Sequence, residues 1–334
     1  MKVLVTGGAG YIGSTTCKAL EQSGHVPVVL DSLLTGPRAF VGDRAFYEGD
    51  IADRALVRRI AEEHPDIDTT IHMAARIVVP ESVEKPYEYY RDNVAKSLEL
   101  FDELDALGLG RVLFSSSASL YATKESFEVT EEDPLAPQSP YARTKLMMEQ
   151  VLQDMAGATS LRAIVLRYFN PIGSDPDLET GIYAREPSHV LGQLVMAARG
   201  QKDSFTITGV DHPTRDGTGI RDYIHVWDLA RAHVRAVERF DDVLAAVDAP
   251  STIINVGTGE GVTVRELVSS FERVFGSDVP TAEAAPRPGD AVGAYANVDK
   301  SRRLLDWSTE LTLDDAIASA LAWGEKRKEI LGYE

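Results

Sequence analysis

The chain has 334 residues, 34 Lys and Arg against 52 Asp and Glu for a formal net charge of -18, 44% hydrophobic residues and a single cysteine, Cys17. That length buries a full core and, at one domain per ~150 residues, predicts about two domains. The acidity argues against binding nucleic acid, an affinity that comes from Lys and Arg displacing counterions, and against anionic membrane surfaces. One cysteine excludes an intramolecular disulfide or a cysteine-rich zinc site and fits a reducing cytosol. No apolar run approaches the ~18 residues of a membrane span, and the N-terminal residues carry no long h-region with a cleavage site, so a cytoplasmic protein is expected.

In chain order, runs rich in β-branched and aromatic residues predict strands at 2–7, 26–31, 45–51, 69–75, 111–117 and 161–170. Amphipathic stretches between them predict helices at 11–23, 53–63, 87–107 and 139–155. This alternation predicts an α/β protein with a Rossmann-like doubly wound parallel sheet. After Pro171, loops rich in Gly, Asp and Pro at 173–186, 209–219 and 282–293 are broken by predicted helices at 188–199, 228–239, 264–275 and 313–328. Residues 173–334 therefore read as a smaller α/β substrate-binding domain following a dinucleotide-binding domain at 1–172. The short apolar runs 222–226 and 252–256 are candidates to return to the first sheet, so 222–258 is assigned in part to it.

The first strand leads directly into Thr6-Gly7-Gly8-Ala9-Gly10-Tyr11-Ile12-Gly13 and the first helix. Small residues there permit a tight turn and let backbone amides approach a pyrophosphate at the positive end of the helix. Asp31 closes the second strand 18 residues after Gly13, placed to accept hydrogen bonds from an adenosine ribose; a carboxylate there repels a 2'-phosphate, and Ser32 rather than Arg follows, so NAD is expected over NADP. Asp50, in Gly49-Asp50-Ile51, either reaches the adenine amino group or caps a helix.

Tyr141 and Lys145 share a helical face, and an ammonium near a phenol favours the phenolate, making tyrosine usable as a base near neutral pH. Ser115-Ser116-Ser117 ends the fifth strand at the carboxyl edge, where ligands of this architecture bind. A serine there hydrogen-bonds the oxygen of a secondary alcohol undergoing hydride transfer to nicotinamide.

Together, the glycine motif, Ser115-Ser116-Ser117-Ala118-Ser119-Leu120-Tyr121, Ser139-Pro140-Tyr141-Ala142-Arg143-Thr144-Lys145, Arg167-Tyr168-Phe169-Asn170-Pro171 and Asp216-Gly217-Thr218-Gly219-Ile220-Arg221-Asp222-Tyr223-Ile224-His225-Val226 resemble the extended short-chain dehydrogenase/reductase family, and within it the nucleotide-sugar 4-epimerases. The resemblance implies an NAD-dependent isomerase of UDP-hexoses that works as a homodimer through helices 87–107 and 139–155. Tyr141 would be the catalytic base, Lys145 would tune it and hold the nicotinamide ribose, and Ser117 would bind the reacting oxygen. Cofactor contacts are implied for Gly7, Gly10, Tyr11, Ile12, Gly13, Asp31, Asp50, Ile51, Ala74, Asn93, Ser115 and Tyr168 beside Tyr141 and Lys145. Asn170, Arg221, Arg287 and Asp290 would hold the UDP handle; paired guanidinium forks suit a diphosphate, and remote binding energy suits a sugar that must turn over in its pocket.

Four positions depart from the pattern. Ile77 stands where many relatives carry a lysine on the cofactor, with Arg76 adjacent. Thr208 replaces an aromatic that packs on uracil, and His189 an asparagine near the diphosphate. Ala294 replaces a bulky tyrosine, which predicts room for N-acetylated UDP-sugars. A dehydratase or decarboxylase on the same scaffold is one alternative; dehydratases place an Asp-Glu pair just after the strand-five serines, where this chain has Ala118-Ser119-Leu120. A non-catalytic NAD sensor is the other, although a sensor has no need of the Tyr141–Lys145 pair.

Overall fold

The computed structural model describes residues 1–187, 189–286 and 292–333. The chain begins with β1 (Lys2–Thr6), α1 (Tyr11–Gln22), β2 (Val26–Asp31), β3 (Ala45–Glu48), α2 (Arg54–Glu63) and β4 (Ile67–His72). Next come α3 (Val79–Glu84), α4 (Pro86–Tyr90), α5 (Lys96–Ala106), β5 (Arg111–Ser115), β6 (Glu128–Val129), α6 (Pro140–Ala158) and β7 (Arg162–Tyr168). They are followed by β8 (Asn170–Ile172), α7 (Val190–Ala198), β9 (Phe205–Thr208), β10 (Ile220–Arg221), β11 (Tyr223–His225), α8 (Val226–Glu238) and α9 (Phe240–Val247). The last are β12 (Ser251–Val256), β13 (Val262–Thr263), α10 (Val264–Phe275), β14 (Thr281–Ala284), β15 (Gly293–Ala296), α11 (Asp299–Leu305) and α12 (Leu313–Leu331).

Seven strands form a parallel sheet in the order β12-β7-β5-β4-β1-β2-β3. Side chains alternate between its faces, so Val3 and Val5 pack in one core with Cys17 and Leu20 of α1 and Leu229 and Val237 of α8. Leu4 points the other way, into a core with Leu100, Phe101 and Leu152 of α5 and α6. Burial of each such side chain contributes roughly 1.5–3 kcal/mol, and burial on both faces explains why these strands read as continuous apolar runs. The chain winds outward in opposite directions from β1 and β4, which opens the ligand crevice of this architecture at their carboxyl ends.

Three expectations are corrected. The strand expected at 161–170 divides, because Pro171 has no N–H for a central ladder; β8 leaves the sheet and pairs in parallel with β11. The run 222–226 therefore does not return to the large sheet, whereas β12 lies beside β7. The helix expected at 87–107 extends from Pro86 to Ala106 through a wide turn at Arg91–Ala95 that carries the buried Asn93.

Beyond residue 172, short strands build small ladders, β14-β9 and β13-β10-β15, the latter extended by β6 from the first half of the chain. Phe271 of α10 and Ile317 of α12 anchor their core. Both helices begin with reciprocal capping boxes, Thr263 with Glu266 and Thr312 with Asp315, which satisfy otherwise unpaired first-turn amides.

Candidate active site

The glycine turn is shaped by what cannot fit in it. A Cβ on Gly7, whose φ is +75°, would lie 2.7 Å from the backbone N of Ala74, and one on Gly13 would lie 2.2 Å from the Gly7 carbonyl oxygen. Gly10 caps α1 without a side-chain hydrogen bond, so the helix presents bare amides of Tyr11, Ile12 and Gly13 toward the crevice. Asp31 faces the turn: its Oδ2 accepts from the Ala9 amide at 3.0 Å and its Oδ1 from the Leu33 amide at 2.8 Å. Burial pushes this carboxyl up, and the two amides oppose that shift. The bare turn, helix terminus and partly buried carboxylate fit a dinucleotide. Tyr11 adds a link across the molecule, donating its hydroxyl to the Gly173 carbonyl at 2.7 Å.

Other expected cofactor residues are engaged within the protein. Asp50 accepts from the Ala52 amide and from Lys96 Nζ. Ile51 is buried in the core around β3. Asn93 accepts from the Arg76 amide and donates to the Arg76 carbonyl and to Thr144 Oγ1, fastening α6 to the loop after β4. Ile77 is 61% exposed, and the Arg76 guanidinium turns to Asp92 at 2.7 Å and Glu88 at 3.0 Å.

Ser139 caps α6 by accepting from the Ala142 amide, with Pro140 in the first turn; the pair fixes where the helix starts and so where Tyr141 points. Lys145, one turn on, is buried and donates from Nζ to the Ser115 carbonyl at 2.8 Å, over the Phe114 ring. Ser117 caps the turn Ala118–Leu120 and donates to Ser119 Oγ at 2.9 Å. Burial pushes the Tyr141 phenol above its ordinary value, and a hydrogen bond with the Ser117 hydroxyl opposes that shift. Burial also lowers Lys145 to about 8, against the pull of Glu149. Behind them, Ser115 Oγ hydrogen-bonds His233 Nε2 at 2.9 Å, and the Tyr168 ring meets His233 edge-on.

Two buried networks under this site escaped the sequence reading. Glu149, one turn beyond Lys145, forms a forked pair with Arg167, Nη2 to Oε2 at 2.6 Å and Nε to Oε1 at 3.0 Å, and accepts from Ser116. His72 bridges Thr6 Oγ1 at 2.7 Å and Ser97 Oγ at 2.9 Å, and burial first, then Lys145, lowers it to about 3. The i, i+4 spacing of Lys145 and Glu149 was the available signal for the first; nothing local marks the second.

On the substrate side, Arg221 of β10 donates to the Ile220 and Val292 carbonyls and is the register partner of Ala294 on β15. Asn170 donates to the Asp222 carbonyl, and the buried Asp222 carboxylate gathers the amides of Thr258, Gly259 and Ala296. Thr208 ends β9 opposite Ala284. His189 caps α7, its Nδ1 accepting from the Gly192 amide, and it lines a cavity between α7 and α12. The structure thus brings Arg221, Ala294 and Asn170 to neighbouring ladders and gives His189 a structural bond; Arg287 and Asp290 lie outside the described residues.

A family profile described as the NAD dependent epimerase/dehydratase family matches residues 3–257. The chain is 41% identical to UDP-glucose 4-epimerase of Azospirillum brasilense over 99% of its length and 94% of the relative's. It superposes with a TM-score of 0.93 and 36% identity on UDP-glucose-4-epimerase from Stenotrophomonas maltophila with bound NAD and formylated UDP-arabinopyranose, covering 98% of this chain and 99% of that one. A UDP-Glc/GlcNAc 4-epimerase from Campylobacter jejuni superposes with a TM-score of 0.82 at 34% identity, over 97% and 99% of the two chains.

Proposed function

The chain belongs to the NAD dependent epimerase/dehydratase family, and from that membership we propose that it interconverts UDP-glucose and UDP-galactose through a 4-keto sugar. One observation carries the reading to chemistry: the Tyr141 phenol meets the Ser117 hydroxyl, and Lys145, one helical turn on, is held at the Ser115 carbonyl at the end of β5, with a glycine turn after β1 whose Gly7 and Gly13 have no room for a Cβ. NAD held by the glycine turn, the α1 terminus and Asp31 would supply a reversible hydride acceptor for C4, so the reaction would leave no net oxidation.

Tyr141 takes the proton of the sugar 4-hydroxyl and later gives it back. Ser117 hydrogen-bonds the same oxygen and keeps the phenol aligned. Lys145, held by the Ser115 carbonyl, supplies positive charge beside the base and reaches the nicotinamide ribose. Burial excludes water, so a keto sugar stays in the site until hydride returns. Asn170, Arg221, Arg287 and Asp290 hold UDP, leaving the sugar free to turn. The small side chain of Ala294 extends this activity to UDP-N-acetylhexosamines.

The same proposal divides the chain near residue 172 into an NAD-binding part, with β12 returned to it, and a UDP-sugar-binding part. It includes a homodimer formed through α4, α5 and α6, supported by the exposed Tyr87, Leu98 and Met147 on those helices. It also places the protein in the cytoplasm, supported by one buried cysteine; among the described residues no helix is long and apolar enough to cross a membrane.

The test is to add UDP-galactose to the purified protein without external NAD. UDP-glucose formed with no consumption of external cofactor is the expected result; a stable 4-keto-6-deoxy product, or no turnover, would reject the proposal.

A further inference from the structure

A second cavity of about 600 Å³ lies between α7, α12 and the loop before α7. Among the described residues expected to contact cofactor or substrate, only His189 lines it, and its Nε2 is buried with no hydrogen-bond partner among the described residues. Among the described residues, the other charged groups on its wall are Arg185, Arg199, Arg327, Lys328 and Glu325, four cations against one carboxylate in a protein of net charge -18.

The cations are positioned rather than scattered. Arg199 is anchored by the Gly324 carbonyl and Glu325. Arg327 donates to the Tyr183 and Ala184 carbonyls, while its buried Nε has no partner. Arg185 and Arg327 both pack against the Tyr333 ring, at 4.3 and 5.3 Å. Burial lowers the Arg327 pKa, Tyr333 opposes the shift, and Arg185 and Arg199 reinforce it. A half-buried guanidinium with further cations beside it is relieved by an anion with several acceptor oxygens.

The apolar part of the wall comes from Trp323, which donates its indole N–H to the Ile182 carbonyl, and from Leu191 and Val195 of α7. The volume lies in the usual range for organic ligands, roughly 300–1,000 Å³, and is far too large for an inorganic ion alone. We propose that this cavity binds a small organic phosphate, with its dianionic head among Arg185, Arg199 and Arg327 and its apolar body on Trp323, Leu191 and Val195. Neither Arg221 nor Asn170 lines it, so the proposal treats it as a site separate from the UDP handle.

Phenyl phosphate is a suitable probe, titrated calorimetrically into the full-length protein loaded with NAD and saturated with UDP so that the substrate site is closed to it. The expected result is one binding event per chain, absent with phenol and weakened about tenfold or more in each of Arg185→Met and Arg199→Met, as befits loss of a charge-assisted contact. Both variants should keep the wild-type melting temperature and turnover, since neither residue belongs to the active site. Absence of binding, equal binding of phenol, or unchanged affinity in both variants would overturn the proposal.

Discussion

On the cofactor side of the crevice, Gly7, Asp31, Ser117 and Tyr141 sit at or just beyond the ends of β1, β2 and β5 and in the first turn of α6, all referenced to one seven-stranded sheet. On the side proposed to hold the substrate, Asn170, Arg221 and Ala294 sit in ladders only two or three residue pairs long, and Ile220 takes its register from Gly293, far along the chain. A strand end in a large sheet is placed by many hydrogen bonds and two packed faces, so local sequence is enough to locate it. A residue in a two-pair ladder is placed by whatever holds the ladder, here the Asp222 carboxylate collecting three distant amides. The first side therefore fixes chemistry rigidly, while the second can be retuned residue by residue.

The sharpest test of the rigid side is Tyr141→Phe, which should fold and bind NAD yet lose about 10²- to 10⁴-fold in turnover, the usual cost of removing a general base. Full activity in that variant would remove the base from its assigned place. Next, Arg167→Met leaves Glu149 buried without its partner and should destabilise the fold by about 3–5 kcal/mol in urea titrations; a change under ~1 kcal/mol would mean the sheet tolerates that site as loosely as the ladders do. Gly13→Ala should retain secondary structure but reduce NAD recovered on denaturation, since its Cβ would press on the Gly7 carbonyl.

Acid should affect both sides alike. Burial lowers His72 to about 3 and His189, His225 and His233 to about 4. With folded values below the unfolded value near 6.5, the unfolded chain binds more protons in this window. Stability is therefore intact above about pH 6.5 and falls as pH drops toward 4, by at most ~1.4 kcal/mol per unit for each histidine. Denaturant midpoints measured from pH 7 to 4 check this, and His72→Gln should shallow the slope. The smallest effect belongs to the tunable side: Ala294→Tyr should lower turnover of UDP-GlcNAc relative to UDP-glucose by about tenfold, within the ~1–3 kcal/mol that pocket shape supplies. Equal loss on both sugars would make Ala294 a packing position instead.

The sequence by itself determined the sheet's strands to within a few residues, the glycine turn, Asp31 and the Tyr141–Lys145 face, because each is encoded by periodicity or spacing within a single element. Only the tertiary structure decided that Pro171 sends β8 out of the sheet to meet β11, that Lys96 takes Asp50, that His189 caps α7, and that Glu149 and Arg167 stand beneath Lys145. Those choices depend on which distant polar group can satisfy a buried charge or amide, and such pairing is set by packing rather than by any pattern along the chain.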